Sequence, residues 1–178
     1  MKKTLQRFLK AEQGLAAIEF AFILPVMVIM FLGTVEVSNY VMTARRVASL
    51  ASTAADLVAQ ESAISDDDMD DVFGAISVIV APLDPEIVQI AISPVVADPD
   101  GTTYRVAWSE AMGRAPRAVG SVVSASEFPA GLIAAYQGSI MVEVKYGYDP
   151  MFADFLPRKD ITDTFYLKPR RSLTVTRL

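Results

Sequence analysis

The first third of the chain is dominated by one long apolar run. Residues Leu15 to Val35 include 21 positions with a single ionisable group, Glu19. At about 1.5 Å per residue, a helix of that length spans roughly 31 Å, the thickness of a bilayer core. We therefore predict a transmembrane helix over residues 15–36. Pro25 removes one backbone donor inside this run and predicts a kink or a locally melted turn.

The helical pattern continues beyond residue 36. Small apolar residues recur at spacings of four and three, with polar residues on the other faces. This pattern predicts a helical stem over residues 37–60 that packs on the protein's own sheet, on neighbouring helices, or on both, because small side chains permit close approach. The predicted packing residues are Val37, Val41, Ala44, Ala48, Ala51, Ala55 and Val58.

Residues 61–178 are predicted to form an outer domain that begins with a second helix. Ser65 has the position of an N-cap, Asp68 follows three residues later, and the helix dipole favours negative charge in this first turn. Calcium binding is the alternative, but the run lacks the alternating ligand spacing and the closing glutamate of a calcium loop. Its ligands would be Asp66, Asp67, Asp68, Asp70 and Asp71.

Alternating apolar positions after the second helix predict a small antiparallel sheet. The pair Asp100-Gly101 is a strong turn signal between the first two strands, and Pro169 interrupts the last strand pattern, which suits an edge strand or a break between two short strands. The fold class predicted is α+β: a long N-terminal helix, a second helix and this sheet. The predicted strands cover residues 86–93, 102–110, 139–148, 161–169 and 172–178.

Composition removes most catalytic chemistry. The 178 residues include no cysteine and no histidine, which excludes thiol nucleophiles, Ser-His-Asp triads, Cys/His zinc centres, iron-sulfur clusters and disulfides. A phosphate loop, a dinucleotide fingerprint, a GxSxG elbow and an HExxH motif are also missing from the sequence. We predict no enzymatic activity, no cofactor and no metal.

Charge is distributed unevenly. The formal net charge is −5, but residues 1–14 carry four basic residues and one acidic residue, a net +3, which leaves −8 for the rest. An acidic body argues against nucleic acid as a partner, since phosphates require clustered lysine and arginine. The basic leader predicts a cytoplasmic N-terminus and an outer domain on the far side of the membrane.

A cleaved secretory signal peptide is one alternative to an anchor. It fits poorly because the apolar run exceeds the usual ~7–15 residues and no small-x-small cleavage site follows it closely. Glu19 also interrupts the run.

Glu19 is the residue that an ordinary anchor would not need. A carboxylate in the middle of a membrane helix costs about 2.5 to 3.5 kcal/mol on insertion scales. Near a helix end the cost falls, because the side chain can extend to the surface. A snorkelling carboxylate and a carboxylate with a specific partner are the two interpretations.

The leader and helix together resemble bacterial type IV prepilins and pseudopilins. A basic leader ends at Gly14, and "LAAIEF" places Glu19 fifth after it; with "RRVASLASTAADLVAQ" the segment Gln13 to Gln60 looks like the TadE-like minor pseudopilins of the Tad (Flp) pilus system. The resemblance implies that a prepilin peptidase cuts between Gly14 and Leu15. Glu19 would then pair with the new α-amine of Leu15, within or between chains.

The resemblance also implies a location and partners. It implies a single-pass protein of the bacterial inner (cytoplasmic) membrane, with the outer domain in the periplasm. Its partners would be the lipid bilayer, the prepilin peptidase, other pilins or pseudopilins and the pilus assembly platform. It would initiate, cap or lengthen a pilus, and the sequence leaves these roles open. The alternative is an uncleaved, membrane-anchored extracytoplasmic binding module.

Two further groups of side chains have alternative interpretations. A set of aromatic residues could line a ligand pocket, although aromatics in strands are usually core. A late basic cluster could contact an acidic neighbouring subunit, although such charges are usually solvated. The aromatic set is Tyr104, Trp108, Tyr146, Tyr148 and Phe152, and the basic set is Arg158, Lys159, Lys168, Arg170, Arg171 and Arg177.

Overall fold

The computed structural model describes residues 12–124, 126–129, 131–152 and 157–178, with side chains from residue 16 onward. It confirms the predicted α+β arrangement of a long apolar helix, a second helix and a small antiparallel sheet. Helix α1 covers Glu12–Ala59 and α2 covers Asp66–Ile79. The strands are β1 Ala63–Ile64, β2 Val88–Ala97, β3 Tyr104–Val106, β4 Glu110–Met112, β5 Val122–Val123, β6 Gly138–Tyr148, β7 Lys159–Leu167 and β8 Thr176–Arg177.

Helix α1 is continuous over 48 residues, which corresponds to about 72 Å. It runs through Pro25 without a break, so the predicted melted turn is wrong. The hydroxyl groups of Thr34 and Ser38 each donate to the carbonyl four residues earlier, both at 2.8 Å. These bonds keep the polar groups satisfied within the helix where its apolar run ends.

Helix α2 begins where the sequence predicted. The Ser65 hydroxyl accepts from the backbone N–H of Asp68 at 3.3 Å, and the Asp68 carboxylate accepts from the backbone N–H of Ser65 at 2.8 Å. This reciprocal capping box also lowers the pKa of Asp68. Met69, Val72 and Ile76 form the buried face of α2, in one hydrophobic cluster with buried residues of α1.

The main sheet is antiparallel, in the order β5-β3-β2-β6-β7, with β4 also beside β2. Helix α1 packs across β6 and β7. We call the end of the sheet at Tyr148 and Lys159 the junction end, and the opposite end, at Gly138 and Leu167, the far end.

Helix and sheet are matched in length. From Glu36 to Ala59 α1 rises about 35 Å, and the 11 residues of β6 extend about 36 Å. At the far end the backbone N–H of Arg170 donates to the carbonyl of Ala59 at 2.9 Å, and the Arg170 guanidinium pairs with Asp56. The second half of α1 is therefore fixed along the sheet, and only its first half projects beyond the domain.

A second hydrophobic cluster covers the other face of the sheet at its far end. Phe128 is fully buried there, with its ring 4.6 Å from that of Tyr104 and 5.3 Å from that of Tyr166 between centroids. Phe128 lies outside the strands that the sequence predicted. Because both faces are covered, the predicted alternation of β6 is lost over residues 138–142, which are all buried.

The end of the chain leaves the main sheet. β8 pairs in parallel with β1 to form a separate two-stranded sheet. The indole N–H of Trp108 donates to the carbonyl of Val175 at 2.8 Å and fixes this segment against the core. Both alternatives for the C-terminal strand pattern are observed in part: β7 is an edge strand of the main sheet, and the pattern breaks after it, before the two-residue β8.

Candidate functional site

The first half of α1 lies outside the folded domain. Every described side chain from residue 16 to residue 31 is exposed, and none of the most apolar 18-residue window of the helix is buried. We call residues 16–35 the anchor segment. Its length and apolar surface are those of a single-pass membrane anchor.

Glu19 interrupts the exposed apolar surface. It is exposed, and among the described residues it has no hydrogen-bond or ion-pair partner. Gly14 and Leu15 lie in the first turns of α1, but the side chain of Leu15 and the leader residues 1–11 are outside the described part. Since Leu15 and Glu19 are four residues apart on one helix, they lie about one turn apart. Helix geometry thus permits pairing within a chain as well as between chains.

A second carboxylate, on Glu36, has the opposite environment. Its side chain is 1% exposed although it directly follows the anchor segment. One carboxylate oxygen accepts from the Tyr148 hydroxyl at 2.5 Å, and the other accepts from the backbone N–H of Phe152 at 3.3 Å. Both donors come from the junction end of the sheet. Glu36 therefore belongs to the outer domain and ties it to the end of the anchor.

Aromatic rings surround this carboxylate. Tyr40 meets Tyr148 edge to face, with ring centroids 5.4 Å apart, and the Lys159 amine lies 5.9 Å from the centre of the Tyr40 ring. Burial, together with the bond to Glu36, raises the pKa of Tyr148 to about 12. Tyr148 therefore remains a donor at neutral pH. We call Glu36, Tyr40, Tyr148, Phe152 and Lys159 the junction cluster.

The sequence prediction did not single out Glu36, although a signal was present. The residues of α1 that contact the domain follow the same spacing of four and three as the predicted packing residues. They start one position earlier, so the face that they form is rotated by about 100° around the helix axis. A search for apolar residues skips its first members because they are polar or amphipathic. This face begins with Glu36, Tyr40, Thr43, Val47, Leu50 and Ala54.

The predicted packing residues of the stem divide into two groups. Ala51, Ala55 and Val58 are buried in the domain core, and Ala44 is half-buried against it. The other three point outward: Val37, Val41 and Ala48 are exposed.

Two of the acidic candidates and all of the aromatic candidates make contacts within the fold. Asp68 caps α2, Asp66 accepts from Arg177, and the described residues include no cluster of acidic side chains that could hold a metal. Tyr104, Trp108, Tyr146 and Tyr148 are buried in the two cores, and Phe152 is half-buried at the junction.

Three of the six late basic residues form ion pairs within the chain. Arg158 binds Asp149 through two nitrogens at 2.8 and 2.9 Å, Arg170 pairs with Asp56, and Arg177 pairs with Asp66 and Glu110. Lys168 and Arg171 are exposed. Half of this set therefore forms contacts within the fold, although each exposed ion pair contributes little to the free energy of unfolding.

One polar network is independent of the candidate site. The Arg117 guanidinium donates to Glu143 at 2.7 and 2.9 Å and to Glu127 at 2.8 Å. The Arg117 bond, with one from the Ser124 hydroxyl, lowers the pKa of Glu127 to about 2. These groups therefore satisfy one another across the cavity that they line with Tyr166.

Comparison with known proteins gives a family match for most of helix α1. Residues 14–56 match the family model described as "TadE-like protein". No curated protein and no solved structure matches the chain. The match begins at Gly14, the predicted end of the leader, and includes the anchor segment, Glu19, Glu36 and most of the stem. The chain thus carries a TadE-like domain over residues 14–56, consistent with a TadE-like protein of the Tad pilus.

Proposed function

We propose that this protein is a minor pseudopilin that takes part in assembly of a Tad-type pilus. It is inserted with its N-terminus in the cytoplasm, cut between Gly14 and Leu15 by a prepilin peptidase, and held in the inner membrane by its anchor segment. The outer domain is then periplasmic. The protein acts as a structural or priming subunit that contacts other pilins and the assembly platform, and not as an enzyme.

The contrast between the two carboxylates of α1 carries this proposal. Glu36 has two internal donors, whereas Glu19 has no partner among the described residues and sits on a fully exposed apolar helix. An isolated carboxylate in lipid has an unfavourable free energy, so the presence of Glu19 requires a partner that offsets this free energy. The α-amine created at Leu15 by cleavage supplies that compensation, because a cation beside the carboxylate offsets part of both desolvation costs.

Exposed surface on α1 supports lateral packing as the mode of assembly. The apolar surface of the anchor segment is not covered by the outer domain, and Val37, Val41 and Ala48 extend an exposed apolar surface beyond it. Small side chains such as Ala48 allow a second helix to approach closely. Helices of neighbouring pilins therefore have a continuous surface to pack against.

Processing gives the most direct test. N-terminal sequencing of the protein extracted from membranes that contain the cognate peptidase is expected to begin at Leu15. Gly14→Val is expected to abolish the cut, because a β-branched side chain crowds a cleft that glycine enters without steric conflict. Gly33→Val is the matched control, since a Cβ at Gly33 meets no atom within 4 Å. A start at Met1 in cells with active peptidase would favour the uncleaved binding module instead.

Membrane orientation is tested separately. A reporter that is active only outside the cytoplasm, fused after the exposed Leu178, is expected to be active, because the basic leader holds the N-terminus inside. A reporter that is active only in the cytoplasm is expected to be silent at the same position. The reverse pattern would contradict the proposed orientation.

A further inference from the structure

The junction end of the sheet is held beside the point where α1 leaves the anchor segment. Glu36 follows the anchor directly, and its carboxylate is bonded to Tyr148 at the end of β6 and to the backbone of Phe152 in the connection after it. A glutamate side chain reaches only a few ångströms from its own helix. The outer domain therefore does not stand away from the anchor on a bare helical stalk.

This end of the domain exposes large apolar side chains, and the rings of Tyr40 and Phe152 beside them are half-buried. Met151 is 69% exposed, although it is a large apolar residue. Ile87 is 43% exposed and lines an open cavity together with Tyr148. Exposed apolar side chains next to tyrosines are typical of the boundary between the bilayer core and water.

Charged groups at the same end include both signs. Arg158 and Asp149 form a two-nitrogen ion pair, Lys145 pairs with Asp160 at 2.7 Å, and the Lys159 amine lies over the Tyr40 ring. A layer of phospholipid headgroups likewise carries phosphates and amines together. On a surface with charges of both signs, exposed ion pairs can be replaced by contacts with headgroup phosphates and amines. The replacement costs little free energy, since exposed ion pairs contribute little to stability.

We propose that the junction face, defined as Ile87, Met151, Phe152, Arg158 and Lys159, rests in the phospholipid headgroup layer of the bilayer that α1 spans. This inference rests on the membrane-anchor part of the proposed function. The contact holds the sheet with its strands running away from the membrane, so that the far end of the domain is presented about 36 Å above the junction, the length of β6. Glu36 is the positioning residue that fixes this orientation.

Single spin labels can test the contact in the full-length protein, because the chain has no cysteine of its own. We would reconstitute Met151→Cys and Leu173→Cys variants in phosphatidylcholine vesicles that contain a headgroup-chelated nickel lipid, and measure nickel-enhanced relaxation of the label. Leu173 is the matched control: it is an apolar residue with 66% exposure, and its carbonyl accepts from Gly138 at the far end. Enhancement is expected to be several-fold larger at residue 151 than at residue 173. Lys159→Cys, on the same face, is expected to follow residue 151.

A third label separates this inference from the anchor itself. Phe22→Cys, at a position with 76% exposure in the anchor segment, is expected to be accessible to lipid-soluble oxygen and protected from water-soluble reagents. If residue 22 shows this protection while residue 151 shows no enhancement, the junction face does not contact headgroups and the inference is overturned. Equal enhancement at residues 151 and 173 would also overturn it, because the domain would then lie on its side. Loss of protection at residue 22 would contradict the membrane anchor.

Discussion

Replacing Glu19 with alanine is expected to abolish pilus assembly while membrane insertion and cleavage continue. Removing the carboxylate eliminates an insertion cost whose upper bound is about 2.5 to 3.5 kcal/mol, the figure for a carboxylate near the helix centre. The variant should therefore enter the membrane at least as well as the parent and still be cut after Gly14. It should lose its crosslinks to other pilins and fail to support piliation, because the α-amine of Leu15 no longer has a partner in lipid.

The controls for Glu19→Ala lie on the same helix turn. Ile18→Ala removes a side chain with 56% exposure that is adjacent in sequence but carries no charge, and it should assemble normally. Glu19→Asp keeps the charge and should retain part of the crosslinking. If Glu19→Ala is cleaved, crosslinks to other pilins and supports normal pili, Glu19 is only a carboxylate that reaches the membrane surface, and the pairing mechanism is wrong.

Replacing Glu36 with alanine is expected to destabilise the outer domain without affecting cleavage. The substitution leaves the hydroxyl of Tyr148 and the backbone N–H of Phe152 without their acceptors. A buried donor that loses its acceptor costs about 1–3 kcal/mol, so the expected loss is about 2–4 kcal/mol in the free energy of unfolding. Glu36→Gln keeps the shape and an acceptor oxygen, and should cost less than half as much.

The single tryptophan makes this loss measurable. Trp108 is buried in the core, donates to Val175, and is the only tryptophan in the chain. Its fluorescence during denaturant unfolding of the detergent-solubilised protein should therefore report on the outer domain alone. Glu61→Ala, at an exposed position just beyond α1, should change the stability by no more than about 0.5 kcal/mol. A Glu36→Ala midpoint equal to that of Glu61→Ala would show that the junction bonds do not stabilise the domain.

The two glutamates also predict different phenotypes. Loss of Glu19 should leave the outer domain as stable as in the parent and remove assembly, whereas loss of Glu36 should lower the stability of the domain. Comparing the unfolding midpoints of both variants by Trp108 fluorescence separates a failure of helix pairing from a failure of the fold.

The sequence by itself determined the elements that depend on neighbouring residues. The apolar run and the stem pattern together, residues 15–60, predicted α1 to within a few residues. Both are local patterns, and a helix that crosses lipid has to satisfy all its backbone groups locally. Ser65 and Asp68 predicted the start of α2, since a capping box closes within four residues. The predicted central strand of residues 139–148 appears as β6, which starts one residue earlier.

Only the tertiary structure decided which residues meet across the chain. Glu36 and Tyr148 are 112 residues apart, and no local pattern relates them. The loop layer around Phe128 covers the sheet through contacts that periodicity does not encode, which is why alternation failed in the first half of β6. The prediction placed the first part of the buried face of α1 one position too late, because that part includes polar groups such as Glu36, whose partner Tyr148 lies on the sheet. Hydrophobic periodicity identifies the apolar side chains that are buried. A polar side chain that is buried with a hydrogen-bond partner far along the chain cannot be distinguished, in the sequence, from one that is exposed to solvent.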